Sequence, residues 1–228
     1  KEPDFIMADG LIVMGIQDTA RIAAKKYIKE HGVVIKTNKG HSGAGVLLFR
    51  QGDLPEEFRA CEEAIMTILK KDEYWNEFPI IIESFISVAS TIGGGAPNVE
   101  FQITRSGRIE FLFYGGMRVS KEGVYQGMEI GNDSLSDQVS TQLMDTGFFV
   151  AEKYRAAGYH GYFDVDFVPS KNGTLYVTES NVRRTACTHV YHVASKLFGK
   201  DFLYNTYILC HSTYRIPGDA PLTFAKVK

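Results

Sequence analysis

Asn172-Gly173 lies between two runs of strand character, Tyr162–Val168 and Leu175–Ser180, and is the strongest short-range hairpin signal in the chain. A two-residue type I′ turn centred on that pair sets Asp166 directly opposite Glu179 and Asp164 opposite Asn181. The two-residue period of a strand then puts all four on one face, with Arg183 further along it. Phe163, Val165 and Phe167 point the other way and can fill a core. Carboxylates set opposite each other repel. A cation would turn that repulsion into coordination, and two carboxylates with an amide suit Mg²⁺, which takes one or two protein carboxylates plus substrate phosphates. The competing reading is a solvated polar face. The register rests on the turn, since a slip of one residue would scatter the cluster.

A second feature lies upstream. Val33–Lys36 reads as a buried strand, Gly40-His41-Ser42-Gly43-Ala44-Gly45 as a loop, and Val46–Phe49 as the next strand. Successive backbone N–H groups in such a loop can cradle an anion, and Lys36 can add a positive charge beside it. The chain has no Gly-x₄-Gly-Lys-Ser/Thr, no Gly-x-Gly-x-x-Gly leading into a helix, and neither His-Arg-Asp nor Asp-Phe-Gly. P-loop, dinucleotide-fingerprint and kinase readings are therefore excluded. With the acidic hairpin, the loop suggests two halves of a nucleotide site.

Between these features the pattern alternates irregularly. Helices are expected from Asp18, as N-cap, to Glu30, and from Leu54-Pro55 to Lys70. A further helix spans 134–157, with Gly147 as its breaking point, and helical segments cover 191–198 and 202–210. Strands are expected over 79–86, 98–104 and 109–114. Several hairpins and no βαβ rhythm indicate an α+β fold with mostly antiparallel sheets. With 228 residues, 44% hydrophobic and 23% charged, the chain suits one large domain or two lobes. A net charge of −2 gives no field for a polyanion, so nucleic acid is not the expected partner. No run approaches the roughly 20 apolar residues of a membrane span. Three dispersed cysteines, Cys61, Cys187 and Cys210, point to a reducing, cytoplasmic setting.

The ordered set Val34-Ile35-Lys36, Gly40–Val46, Ile81–Ile86, Asp166-Phe167-Val168 and Glu179-Ser180-Asn181-Val182-Arg183 resembles the ATP-grasp superfamily. That resemblance implies two lobes with mostly antiparallel sheets clasping a nucleotide cleft. The N-terminal lobe would be 1–86, with the glycine loop and hinge strand, and the C-terminal lobe 87–228, with the metal-binding hairpin. It implies an ADP-forming carboxylate–amine ligase that uses ATP and Mg²⁺ and takes small amino-acid- or peptide-like carboxylate and amine substrates. Lys36 would contact phosphates together with Gly40, His41, Ser42, Gly43 and Gly45. Glu83, Ser84, Phe85 and Ile86 would line the adenine and ribose pocket. Asp166, Glu179 and Asn181 would hold Mg²⁺, Arg183 would neutralise the transferring phosphoryl group, and Asp164 would support them.

Asn98-x-Glu100-x-Gln102 resembles the His-x-Glu-x-Gln strand of biotin-carboxylase-like members, with asparagine for histidine. Asn181-Val-Arg183-Arg184-Thr185 with Thr188-His189 is more similar to pheganomycin-type peptide ligases. Such families usually carry a preceding α/β domain and an earlier phosphate-contacting lysine, neither of which can be placed here. An upstream domain of the same protein or a homo-oligomer is therefore an expected partner. A non-catalytic ATP-binding module and a carboxylase remain the alternatives. Arg118 and Gln126 are acceptor-site candidates. Glu100 and Gln102 face either the cleft or solvent. His189 and His192 are read as polar rather than zinc-binding, and Cys187 as a structural thiol.

Overall fold

Helix α1 (Ile16–Glu30) turns Ala20, Ala23, Ala24 and Tyr27 inward at helical spacing, and these small side chains let it lie close on a sheet. In the computed structural model, residues 5–41, 44–121 and 124–212 are described. That first sheet holds β1 (Gly10–Val13), β2 (Gly32–His41), β3 (Ala44–Arg50) and β4 (Ile80–Ser84), in the order β1-β4-β2-β3, all antiparallel. Helix α2 (Phe58–Leu69) packs beside α1. Cys61, Ile65 and Leu69 join Val33, Ile35, Ile80 and Ile82 in one core.

The second sheet has six antiparallel strands: β5 (Pro97–Ile103), β6 (Ile109–Val119), β7 (Tyr125–Ile130), β8 (Gly161–Pro169), β9 (Leu175–Glu179) and β10 (Ile208–His211). Their order is β10-β7-β6-β5-β8-β9. One face carries Val99, Phe101, Phe163, Val165 and Phe167 and is covered by α3 (Asp137–Ala156). The opposite face carries Phe113, Met128 and Ile130 under α4 (Thr188–Phe198) and α5 (Phe202–Asn205). The alternation legible in Asn98–Thr104 and Tyr162–Val168 thus builds the core under α3, while the opposite face of the same strands carries the polar side chains.

Two features tie the sheets together. Before β1 the chain runs along the second sheet: Val177 N donates to Ile6 O at 2.8 Å, and Met7 bridges to Val177. From the first sheet, Lys36 Nζ donates to Thr178 O at 2.7 Å.

Several local expectations change. Gly15, with φ 84°, caps α1 in place of Asp18, because the turn before the helix needs a left-handed residue. Glu57, not Leu54-Pro55, starts α2, its carboxylate accepting from Arg59 N and Ala60 N. The glycine loop is narrower than expected, since β2 runs to His41 and β3 begins at Ala44. Residues 208–210 are strand rather than helix. There Ile208 reaches the core while β7 offers an unpaired edge that the backbone satisfies. Strand β7 escaped the sequence pattern because Gly127 interrupts it. A Cβ at that glycine would lie 2.1 Å from Cys210 O, so the close approach of β10 requires its absence.

Helix α3 does not break at Gly147. The ring of Phe101 packs where a side chain would be, and a Cβ there would lie 2.1 Å from Phe101 Cε2. Gly→Ala in a helix normally gains up to about 1 kcal/mol. Here overpacking reverses the sign, and Gly147→Ala should destabilise the protein by about 2 kcal/mol, read as a lower urea midpoint at unchanged slope.

Candidate active site

The hairpin of β8 and β9 reaches the expected pairing by a different route. Its loop has three residues, with Gly173 at φ 86° and Ser170 N donating to Thr174 O. Below it Phe167 faces Val177 and Val168 faces Tyr176, one residue away from the two-residue-turn register. A bulge between Asp166 and Phe167 then restores Asp166 opposite Glu179. The two irregularities cancel. Thr178 is the extra residue, and the bulge leaves its carbonyl out of the ladder, free to accept from Lys36.

Asp166 accepts from the Asn98 amide at Oδ1 and from Asn181 Nδ2, 3.3 Å away, at Oδ2. Asp164, buried, accepts from Asn181 N at 2.8 Å and from Asn98 Nδ2 at 3.3 Å. Asp164 N donates to Asn181 O, so the strand pairing continues one step past β9. Burial pushes the Asp164 carboxyl up to about 6, with the Glu179 charge adding to it. Asp166 is driven well above the ordinary carboxylate range by burial, and then by the Asp164 charge. Among the described residues no three His, Cys, Asp or Glu side chains form a metal cluster. Asp164 is buried, and the strand register makes Asp166 and Glu179 the facing pair. Two carboxylates completed by phosphate oxygens is a donor set that fits Mg²⁺.

Arg183 and Arg184 follow the hairpin. Arg183 Nη2 donates to Asn181 Oδ1 at 2.8 Å, whereas the Arg184 guanidinium lies 4.6 Å over the Tyr162 ring. On the first sheet, Lys36 Nζ pairs with Glu83 Oε2 of the neighbouring strand at 2.8 Å, both side chains largely withdrawn from water. Glu83 is thus an ion-pair partner of Lys36. Ser84 N and Oγ both donate to Asp9 O, and Phe85 packs over Gly32. Gly40, His41 and Gly45 belong to the β2–β3 hairpin, while Ser42 and Gly43 lie outside the described residues.

Glu100 carries more than the sequence indicated. On β5, opposite Asp164, it is completely buried rather than solvated and accepts from the hydroxyls of Thr185 and Thr188. It thereby ties the segment after Arg183 and the start of α4 to the sheet. Burial raises its carboxyl to about 7. The period-two pattern put Glu100 on the right face, but only α4 folding over that face removes water. Cys187 is a buried thiol 3.0 Å from Tyr125 OH, pushed up to about 12 by burial, and so is structural. His192 Nε2 sits 3.2 Å from Tyr162 OH. Arg118 pairs with Glu129 across β6 and β7.

Asn98, Asp164, Asp166, Glu179, Asn181 and Arg183 converge on one cleft of about 180 Å³. Its other side is built from Met117, Val119, Tyr125, Met128 and Cys187. The residues next to Arg118 and Gln126 line it, and those two acceptor candidates do not.

No family model and no curated protein matches the sequence. Solved structures do match. Biotin carboxylase from Campylobacter jejuni in complex with β-γ-ATP superposes with a TM-score of 0.63 at 16% identity, covering 87% of this chain and 41% of that one. N5-carboxyaminoimidazole synthetase from Staphylococcus aureus with ADP gives 0.58 at 14%, covering 83% and 44%. D-alanyl-alanine synthetase A from Vibrio cholerae gives 0.53 at 12%, covering 78% and 50%. The chain has the ATP-grasp fold. It spans half or less of the length of these ATP-grasp structures. No helix among its described residues is long and apolar enough to cross a membrane.

The raised carboxyls have a measurable consequence. An acid whose folded pKa is raised binds more protons folded than unfolded, so its stabilising contribution is full at low pH and lost as pH rises through the folded value. The ligand-free protein should therefore lose several degrees of melting temperature between pH 5 and about 7. Glu100→Gln should flatten that slope, as thermal melts across the range would read out.

Proposed function

We propose that the chain is the nucleotide-binding and catalytic part of an ATP-dependent, ADP-forming ligase joining a carboxylate to an amine. One observation carries this reading. Asp166 and Glu179 face each other at the floor of a cleft, and the residue before Glu179 holds the lysine of the facing sheet. Phosphoryl transfer asks a protein mainly for positioning and charge neutralisation, and those are what this arrangement offers.

Asp166 and Glu179, with Asn181 beside them, would hold Mg²⁺. The ion would supply neutralisation of the phosphate oxygens. Lys36 sits where a chain of phosphates would pass between the sheets, and the Glu83 pair keeps its ammonium aimed. Glu83–Ile86, the end of an interior strand and the chain that leaves it, would be the segment against which a purine rests. In the reaction, a carboxylate oxygen of the substrate attacks the γ-phosphorus and ADP leaves, giving an acylphosphate. The amine then attacks the acyl carbon, inorganic phosphate departs, and the nitrogen loses a proton. Arg183, on the rim two residues past Asn181, would stabilise the negative charge on the transferring group. The buried Glu100–Thr185–Thr188 cluster would keep Arg183 in place by fixing the chain that follows it.

A second reading, a carboxylase acting through carboxyphosphate, is favoured by the likeness to biotin carboxylase and by Asn98 and Glu100 lying next to the acids. Bicarbonate-dependent ATP cleavage without an amine would mark it.

Glu179→Gln should lower Mg²⁺-dependent ADP release at least a hundredfold while the melting curve stays that of a folded protein. Full activity in that variant at saturating Mg²⁺ would refute the assignment. Because Asp164 and Asp166 hold protons more tightly than usual, a divalent ion must displace them. Titration calorimetry near pH 6 in buffers of different ionisation enthalpy should show proton release on Mg²⁺ binding, and affinity should rise with pH. A binding heat identical in all buffers, which would mean no proton is released, would contradict shared ownership of the site by these acids.

A further inference from the structure

The cleft that holds the acidic pair has two chemically different sides, and the sheet order fixes where each lies. Strand β9, which bears Glu179 and receives Lys36 at Thr178, is the edge of the second sheet nearest the first. Moving across the sheet come β8 with Asp166, β5 with Asn98, β6 with Met117 and Val119, and β7 with Tyr125 and Met128. At about 4.8 Å per strand, β6 lies about 10 Å beyond the acids and β7 one strand further. The apolar wall is therefore on the side of the acids away from Lys36 and the hinge strand, where phosphates and base would lie.

The wall is built into the fold. Met117 is directly opposite Met128 on the neighbouring strand, and Met128 is fully buried. Gly115, opposite Asn98, lacks a side chain because its neighbours take the space: a Cβ there would lie 2.1 Å from Glu129 O, and the Met128 side chain packs over it. A Cβ there would come within 2.7 Å of the Met128 terminal methyl. Cys187 is an uncharged thiol tied to Tyr125, so it adds no charge to that side.

We infer that the group accepted on this side is a carboxylic acid carrying an apolar body, of the size of a branched or aromatic amino-acid side chain. The inference rests on the ligase reading for the orientation of the acid. Its carboxylate would lie toward Arg183 at the polar end of the cleft, and its apolar body against Met117 and Val119, with Met128 packed behind them. A single-carbon acid such as bicarbonate would leave Met117 and Val119 facing water, and a polar side chain would lose its hydration there without gaining a partner. Methionine walls adapt to the shape of what they meet, which suits a class of apolar acids rather than one.

The test uses the whole chain with Mg²⁺ and ATP. ADP release should be stimulated by leucine, phenylalanine or the corresponding apolar acids, with KM on the order of a hundredfold below that for acetate, glycine or aspartate. Met117→Gln, which keeps the shape, should raise KM for the apolar acids about tenfold with kcat little changed. Stimulation by bicarbonate, or a preference for small or polar acids, would overturn the inference.

A second measurement stands without turnover. In protein labelled at its methionine methyls, apolar acids added with MgADP should shift Met117 and Met128. Met144, which lines a separate cavity beside α3, serves as the control. Shifts without any ADP release would uphold the apolar-acid site and defeat the ligase reading. Neither shifts nor stimulation would defeat the site itself.

Discussion

Two negative side chains, Asp166 and Glu179, face each other across the last pair of strands in a six-stranded sheet, beside a third acid that is almost wholly buried. Such a grouping is unfavourable in isolation, because burial disfavours the charged form and neighbouring carboxylates repel. The surroundings reduce the penalty. Amides of Asn98 and Asn181 donate to Asp166, a backbone N–H donates to Asp164, and the carboxyls hold their protons more tightly. The proposed role of such a grouping is to receive a cation, which would offset the remaining repulsion.

The same hairpin joins the halves of the molecule. The bulge that returns Asp166 to its place opposite Glu179 also frees the Thr178 carbonyl, and Lys36 reaches it from the other sheet. Glu83 is the lysine's second partner and comes from the strand beside it. The lysine ammonium is thereby fixed at the carbonyl of the residue before Glu179. On the far flank, Glu100 holds Thr185 and Thr188 and so sets the course of the chain after Arg183. Glu83 and Glu100, both outside the cleft lining, thus position Lys36 and the chain after Arg183, while Asn98 and Asn181 within it hold the acids.

The ATP-grasp likeness, the antiparallel sheets and the facing of Asp166 and Glu179 were legible from residue order alone. The pairing was reached through a turn that does not exist: a three-residue loop displaced the register by one, and the bulge displaced it back. Alternation also located the buried faces of β5 and β8. It failed at β7, where Gly127 breaks the pattern, and at β10, whose strand character comes from an edge waiting to be paired. Arg118 and Gln126 were singled out for polarity, yet the neighbouring Met117 and Tyr125 line the cleft, because successive residues of a strand point to opposite faces.

By itself the sequence determined which residues share a face, where the helices run, and which charged groups could meet, since those follow from periodicity and local turn chemistry. Tertiary structure decided the rest. It made Glu100 a buried anchor instead of a solvated carboxylate, tied Glu83 to Lys36, and turned one side of an acidic cleft into a wall of methionines. Each of these depends on what packs over a face or across a gap. That is set by contacts between segments up to 142 residues apart, which no local pattern encodes.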